Sequence, residues 1–484
     1  MTRSGPGAPQ PSRVTPLTLR YVSTRGGVPP CGFEAALFAG LAADGGLYVP
    51  ERWPRLGPDA FEAMRGLGYE ETARRIIAPF VTGCLDEDEL AGLVERAYAG
   101  FDHAARAPLV QVGPNRWLLE LFHGPTLAFK DYALQLLGLL FEHFLAKRKR
   151  RITIVGATSG DTGSAAIDAC AGREWMAIVV LHPRGRVSEV QRRQMTTVAA
   201  DNVHNVAIEG TFDDCQALVK AMFNDPAFRL ELNLAAINSI NWGRIMAQAV
   251  YYVCAALALG GPARGVAFAV PTGNFGDVYA GYVARQMGLP IERLIVATNR
   301  NDILARFLES GVYERGEVAP TISPSMDIQV ASNFERLLFE LCDRDGGRVR
   351  LLLDGFAATG RLEVAPEQSA RARAMFQGSR VDETATRAAM AATLHETGLL
   401  VDPHTAVGLG AAAACRGDPA VPLVTLATAH PAKFPDAVRE ATGVTPGVPP
   451  RLAELFMGEE RFEVLPNDLS AVQDHVRRRI QGTP

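Results

Sequence analysis

Lys130 stands next to last in the stretch His123-Gly124-Pro125-Thr126-Leu127-Ala128-Phe129-Lys130-Asp131, and the apolar-periodic run Tyr132-Ala133-Leu134-Gln135-Leu136-Leu137 follows at once. A lysine behind Leu127 and Phe129, where an extended turn becomes a helix, is placed for carbonyl chemistry. Apolar neighbours disfavour its charged ammonium, and a helix N-terminus acts in the same direction. A neutral amine is the form that builds a Schiff base. Lysines at helix starts are also ordinary surface residues, so the segment needs companions.

Two glycine-containing loops supply them. Gly156-Ala157-Thr158-Ser159-Gly160-Asp161-Thr162-Gly163-Ser164 lies between a β-rich and a helical run. A phosphate-binding loop of the Walker type needs Lys after its last glycine; here Asp161 follows Gly160, and the dinucleotide spacing G-x-G-x-x-G is absent. A carboxylate repels a triphosphate, so the amides and hydroxyls of Ser159 to Thr162 suit a smaller anion, such as the α-carboxylate of an amino acid. The same loop can cap its helix through Thr162 or Ser164. The second loop, Pro271-Thr272-Gly273-Asn274-Phe275-Gly276-Asp277, again joins a strand to a helix. Two glycines three apart leave bare amides at a helix N-terminus, where a phosphate can sit without Lys or Arg. A phosphate cup, an amine and a carboxylate clamp are together the contacts that a pyridoxal phosphate site requires.

A third segment, Thr425-Leu426-Ala427-Thr428-Ala429-His430-Pro431-Ala432-Lys433-Phe434, is a strand ending in hydroxyl and basic groups. Thr428 reads either as a strand residue or as a neutral partner for a pyridine nitrogen. Asp402-Pro403-His404-Thr405 reads as a helix cap with Pro403 at the first helical position. His404 and His430 are second-choice proton carriers or phosphate ligands, since single histidines are more often structural.

These residues need elements to hold them. The pattern predicts a first strand over 17–23, a short helix over 33–41, a tight Asp44-Gly45-Gly46 turn, and helices through 58–100. The acidic cluster Asp86-Glu87-Asp88-Glu89 could bind a metal but reads better as a helix first turn. From 118 onward strands alternate with helices: strands are predicted at 152–155, 176–181, 203–208, 236–237, 265–270, 294–298, 349–353 and 421–427. Such alternation argues for open parallel α/β sheets with ligands at the carboxyl ends of strands. The basic run Lys147-Arg148-Lys149-Arg150-Arg151 ends the helix begun at Lys130 and complements its dipole.

At 484 residues the chain holds two or three domains. Its 48% hydrophobic and 21% charged residues exclude a disordered or fibrous class. A formal charge of -4 gives no global attraction for nucleic acid or an anionic membrane. The seven cysteines, Cys31, Cys84, Cys170, Cys215, Cys254, Cys342 and Cys415, never form C-x-x-C, which fits no zinc cage or disulfide framework and suits a reducing cytoplasm. The N-terminus lacks a secretory pattern, and 1–16 reads as a disordered Pro/Gly/Ser tail. The uncharged window 245–263 is broken by Gly260-Gly261-Pro262, too short for a membrane span.

Taken together, the segments resemble the threonine synthase family in its longer bacterial and fungal form. The resemblance rests on Ser23 to Gly26, Gly40 to Tyr48, His123 to Asp131, Gly156 to Ser164, His182 to Ser188, Glu209 to Gln216, Asn238-Ser239-Ile240-Asn241-Trp242-Gly243-Arg244, Gly273 to Asp277, Ser332-Asn333-Phe334-Glu335 and Thr428 to Phe434. It implies an α/β, tryptophan synthase β-like fold of type II, with two parallel or mixed open-sheet domains and a small helical N-terminal domain. The boundaries expected are 17–105 for the N-terminal domain, 106–150 with 263–484 for the large cofactor domain, and 151–262 for a small mobile domain.

The resemblance further implies pyridoxal 5'-phosphate bound covalently by Lys130, with Gly273, Asn274, Phe275, Gly276 and Asp277 at its phosphate and Thr428 at its ring nitrogen. Ser159, Gly160, Asp161, Thr162, Asn238, Ser239, Asn241, Arg244 and Lys433 are expected around the substrate, Arg244 and Lys433 as candidate cations for the leaving phosphate. The implied reaction converts O-phospho-L-homoserine and water to L-threonine and phosphate, without a metal, in a cytoplasmic monomer or homodimer. Alternatives are a phospho-lyase giving 2-oxobutyrate and a non-catalytic binding protein of the same fold. The intact lysine, cup and loop argue against the second.

Overall fold

The computed structural model describes residues 18–158 and 160–481, so the tail expected at 1–16 and the candidate Ser159 lie outside the described residues. Two open sheets dominate. The larger has six strands in the order Phe376–Arg380, Ile291–Thr298, Val266–Pro271, Leu423–Ala427, Arg116–Glu120 and Leu109–Gly113. All neighbours are parallel except the last pair, an antiparallel hairpin at one edge. The smaller is wholly parallel, ordered Glu463–Pro466, Val203–Glu209, Met176–Pro183, Ile152–Ala157 and Leu234–Ala235. The predicted α/β class with parallel and mixed sheets holds, and helices over Pro58–Glu62, Tyr69–Val81 and Glu87–Tyr98 form the helical N-terminal region.

Local chemistry accounts for the principal elements. Asp86 accepts from the Glu89 amide at 2.8 Å while Glu89 accepts from the Asp86 amide at 3.1 Å, a reciprocal cap that places the acidic cluster in a helix first turn. The helix Lys130–Arg148 is apolar on nearly every face and is buried from Lys130 to Leu145 apart from Glu142 and His143. A helix apolar all round belongs in an interior, and this one packs against Glu87–Tyr98, Asp161–Cys170 and Trp242–Ala258. Its basic end is paired: Lys147 lies 2.5 Å from Glu89 and Arg148 2.7 Å from Glu34. Among the described residues no helix is long and apolar enough to cross a membrane.

Three sequence expectations change. Residues 349–353, expected as a strand, lie inside the helix Gly346–Thr359. Asp345 caps it by accepting from the Gly347 and Arg348 amides, and Gly360 ends it at φ 73°, so punctuation outside the apolar run decides its conformation. The short strand expected at 236–237 forms at Leu234–Ala235. Residues 463–481, grouped by sequence with the large domain, supply the edge strand of the smaller sheet and a helix over Leu469–Gln481. Val472 and Val476 are buried there with Val206, Leu218 and Phe228, an apolar contact that no local pattern encodes. Conversely, Trp242–Ala258 packs along Gly276–Gln286 and Tyr69–Val81.

Candidate active site

Lys130 opens its helix and is 8% exposed. Its Nζ donates to Asp161 Oδ2 at 3.3 Å and lies 5.0 Å from the centre of the Phe129 ring. Burial pushes its pKa below the ordinary lysine value; Asp161 opposes this, while Lys433 and Arg244 reinforce it. The amine is therefore easier to deprotonate than one in water.

Asp161 is the hub on the smaller sheet. It opens the helix Asp161–Cys170 after Gly160, whose φ of 149° and position, with a Cβ only 2.4 Å from the Gln191 side chain, admit only glycine. The cap expected from Thr162 or Ser164 comes instead from Thr158, whose hydroxyl accepts from the Gly160 and Gly163 amides at 3.0 and 2.9 Å. Asp161 Oδ1 receives Lys433 Nζ at 2.9 Å and Gln191 Nε2 at 2.8 Å. Burial alone would raise this carboxyl, but Lys433, Lys130 and Gln191 outweigh it and hold it well below the usual carboxylate range. Lys433, fully buried, also donates to the Thr126 carbonyl at 2.7 Å. Thr162 stands half-buried beside Asp161.

On the larger sheet the cup follows Val266–Pro271. Phe275 takes φ 63° and precedes the helix Gly276–Gln286, whose first amides have no side-chain cap. Such an N-terminus is open to an anion. Asn333 Nδ2 donates to the Asn274 carbonyl at 3.0 Å and to the Ser239 carbonyl at 3.1 Å, joining the cup to the 238–241 loop. Asp277 turns toward the helix behind: its Oδ1 accepts from Tyr251 at 2.5 Å and Tyr252 at 2.9 Å, and burial pushes its pKa up to about 6.

The Asn238 to Arg244 block divides. Asn241 caps Trp242–Ala258 by accepting from the Gly243 amide at 2.9 Å and donates to the Leu37 carbonyl at 2.8 Å, so its carboxamide is committed to structure. Asn238 Oδ1 is buried without a partner. Arg244 is buried, its Nε and Nη1 have no partner, and burial pushes its pKa down to about 10. An unpaired buried guanidinium is costly, and an anion close by would relieve it. Thr428 is buried just past Leu423–Ala427, and its carbonyl accepts from the Phe129 amide at 2.9 Å. His430 caps the following turn by accepting from the Ala432 amide at 3.1 Å, and burial drives its pKa to about 4, which favours the structural reading.

Lys130, Asp161 and Lys433 thus touch directly, while Gln191 and Asn333 are partners that sequence reasoning missed. Asn333 stood in a quoted block without a role; nothing local marks Gln191. A desolvated amine, an open helix N-terminus and an unpartnered buried cation fit a phosphorylated carbonyl cofactor acting on an anionic substrate.

Comparison with known proteins agrees. Family profiles described as Threonine synthase N terminus, Pyridoxal-phosphate dependent enzyme, and Threonine synthase, C-terminal match residues 20–98, 103–426 and 405–476. The threonine synthase of Pseudomonas aeruginosa is 55% identical over 95% of this chain and 98% of its own. The crystal structure of pyridoxal-phosphate-bound threonine synthase from Brucella melitensis matches with a TM-score of 0.94 and 52% identity, covering 96% of this chain and 100% of that one. Yeast threonine synthase matches with a TM-score of 0.92 and 38% identity over 96% and 99%. Pyridoxal phosphate is the cofactor, and the chain belongs to the threonine synthase family of pyridoxal-phosphate-dependent enzymes.

Proposed function

We propose that this chain is a carbon–oxygen lyase that converts O-phospho-L-homoserine and water to L-threonine and phosphate. The observation that carries the reading is Arg244, a buried guanidinium with two open donor nitrogens whose charge acts on Lys130. A substrate bearing its own phosphate supplies the missing counter-charge. Lys433 is the weaker candidate for that phosphate, because its ammonium already contacts Asp161 and the Thr126 carbonyl.

The remaining roles follow from position. The amides of Gly273, Asn274, Phe275 and Gly276 hold the cofactor phosphate, and Thr428 meets its ring nitrogen as a neutral partner. Asp277 supports the cup's first turn through Tyr251 and Tyr252. Residues from Ser159 to Thr162, with Asn238 and Ser239, receive the amino-acid end of the substrate. Lys130 would hold the cofactor covalently, and its free Nζ moves the α proton of the substrate. The bound cofactor supplies an electron sink for the carbanionic stages. The seven free cysteines accord with a cytoplasmic setting.

The test is to incubate the holoenzyme with O-phospho-L-homoserine and measure phosphate, threonine and 2-oxobutyrate together. Wild type is expected to release phosphate and threonine in equal amounts. Lys130→Ala should lower turnover about a thousandfold or more, and Arg244→Ala about a hundredfold with the cofactor absorbance kept. Equal turnover in Arg244→Ala, or 2-oxobutyrate as the main product, overturns the assignment.

A further inference from the structure

Asp402, the fully buried residue before the helix Pro403–Ala414, accepts four hydrogen bonds. Two come from the Thr405 and His404 amides at 3.1 and 2.9 Å, which is ordinary helix capping. The other two come from side chains: His404 Nδ1 at 2.7 Å and the Thr405 hydroxyl. Those two side chains lead to different segments of the site.

The Ser325 amide can only donate, and it donates to His404 Nε2, so Nδ1 is the ring nitrogen that bears the hydrogen facing Asp402. Its Nε2 is then a bare acceptor, and the Ser325 amide donates to it at 3.2 Å. The Ser325 carbonyl stands 2.7 Å from where a Cβ on Gly273 would project, so this strut ends against the backbone of the phosphate cup. The Thr405 hydroxyl gives its proton to Asp402 and accepts from the Thr428 amide at 3.3 Å. The Thr428 carbonyl accepts in turn from Phe129, the residue before Lys130. One carboxylate therefore connects cup, strand end and lysine turn through buried hydrogen bonds.

We propose that Asp402 is a positioning residue that, through His404 and Thr405, fixes the spacing between the phosphate cup at Gly273 and the ring-facing Thr428. The proposal rests on the reading of Gly273 to Gly276 and Thr428 as cofactor contacts. A helix cap alone needs neither side-chain donor. All four partners of Asp402 are donors, so the NH2 of an asparagine would confront at least one of them. In a buried network the mismatch spreads to every member.

The experiment titrates the full chain, freed of cofactor, with pyridoxal phosphate and follows absorbance, alongside thermal denaturation of the same samples. Asp402→Asn and Thr405→Val should each raise the cofactor dissociation constant about tenfold or more, as expected for loss of a hydrogen bond to a buried charged group. Thr405→Ser, which keeps the hydroxyl, should restore it to within about twofold of wild type. A lower Tm with unchanged cofactor affinity in both variants reduces Asp402 to a helix cap and overturns the proposal. Should Asp402→Asn fail to fold, the Thr405 pair decides alone. Gly273→Ala and Thr428→Val are measured beside them. If these weaken binding while the Thr405 and Asp402 variants do not, only the positioning role falls; if these leave affinity unchanged, the site reading falls and takes the proposal with it.

Discussion

The loops after Val266–Pro271 and Ile152–Ala157 both end at a helix N-terminus near Lys130, yet one side of the lysine is close to neutral and the other is charged. Behind the cup the buried Asp277 carboxyl is pushed up to about 6, and Asp131, next to Lys130, is pushed up to about 7, with hydroxyls and one amide as partners. On the smaller-sheet side Asp161 is held well below the usual range by two lysines. Burial is complete in all three, so the partner decides: a hydroxyl donor does not repay desolvation of a carboxylate, and two ammonium groups do. The donors of the cup are backbone amides, which carry no titrating group of their own.

The sharpest way to break that contrast is Asp161→Asn. It leaves Lys130 and Lys433 buried with no anion between them. The expected cost is about 3–5 kcal/mol of folding stability, read by urea denaturation, and Lys433→Met in the same chain should recover part of it. A variant within about 1 kcal/mol of wild type would show that the lysines are not charged partners. Gly273→Ala probes the other side with a smaller effect. Its Cβ meets the Ser325 carbonyl at 2.7 Å, where backbone cannot swing aside. Overpacking of this kind costs about 1–3 kcal/mol, expressed as weaker cofactor binding at every pH, because no titrating group is altered.

This contrast also marks how far the sequence could be read. Lys130, the cup and the alternating strands were legible because glycine spacing, apolar runs and helix starts are local signals. The pairing of Asp161 with Lys433 was not, since the two stand on different sheets and meet only in the fold. Asp277, next in sequence to the cup, read as a phosphate neighbour, but the helix carries its carboxylate onto Tyr251 and Tyr252. Asn241 likewise sat in a substrate-like block, and its cap at Gly243 emerges only once the helix start is fixed. The 349–353 run failed for another reason: five apolar-rich residues satisfy strand and helix equally, and Leu351 ends up 76% exposed on a helix.

The smallest expected effect concerns Asp131, beside Lys130 and yet apart from its chemistry. The Thr126 amide and hydroxyl donate to its two oxygens at 2.8 and 2.6 Å, and Asp168 adds like charge. Burial, the largest influence, lifts its pKa from 3.8 to about 7, so between those values the folded chain keeps a proton that the unfolded chain releases. Stability from this group is therefore fully present below the lower value and is lost as pH rises through the upper one, with a slope of at most about 1.4 kcal/mol per pH unit. Asp277 has a folded pKa of about 6 and contributes with the same sign. Asparagine at 131 keeps an acceptor for the Thr126 amide and a donor for its hydroxyl without a charge. Asp131→Asn should accordingly lose fewer degrees of Tm than wild type between about pH 5 and about pH 8, by a few degrees. Parallel profiles for the two proteins would mean that Asp131 is ionised in the fold and that burial with hydroxyl and amide partners does not keep a carboxyl neutral here.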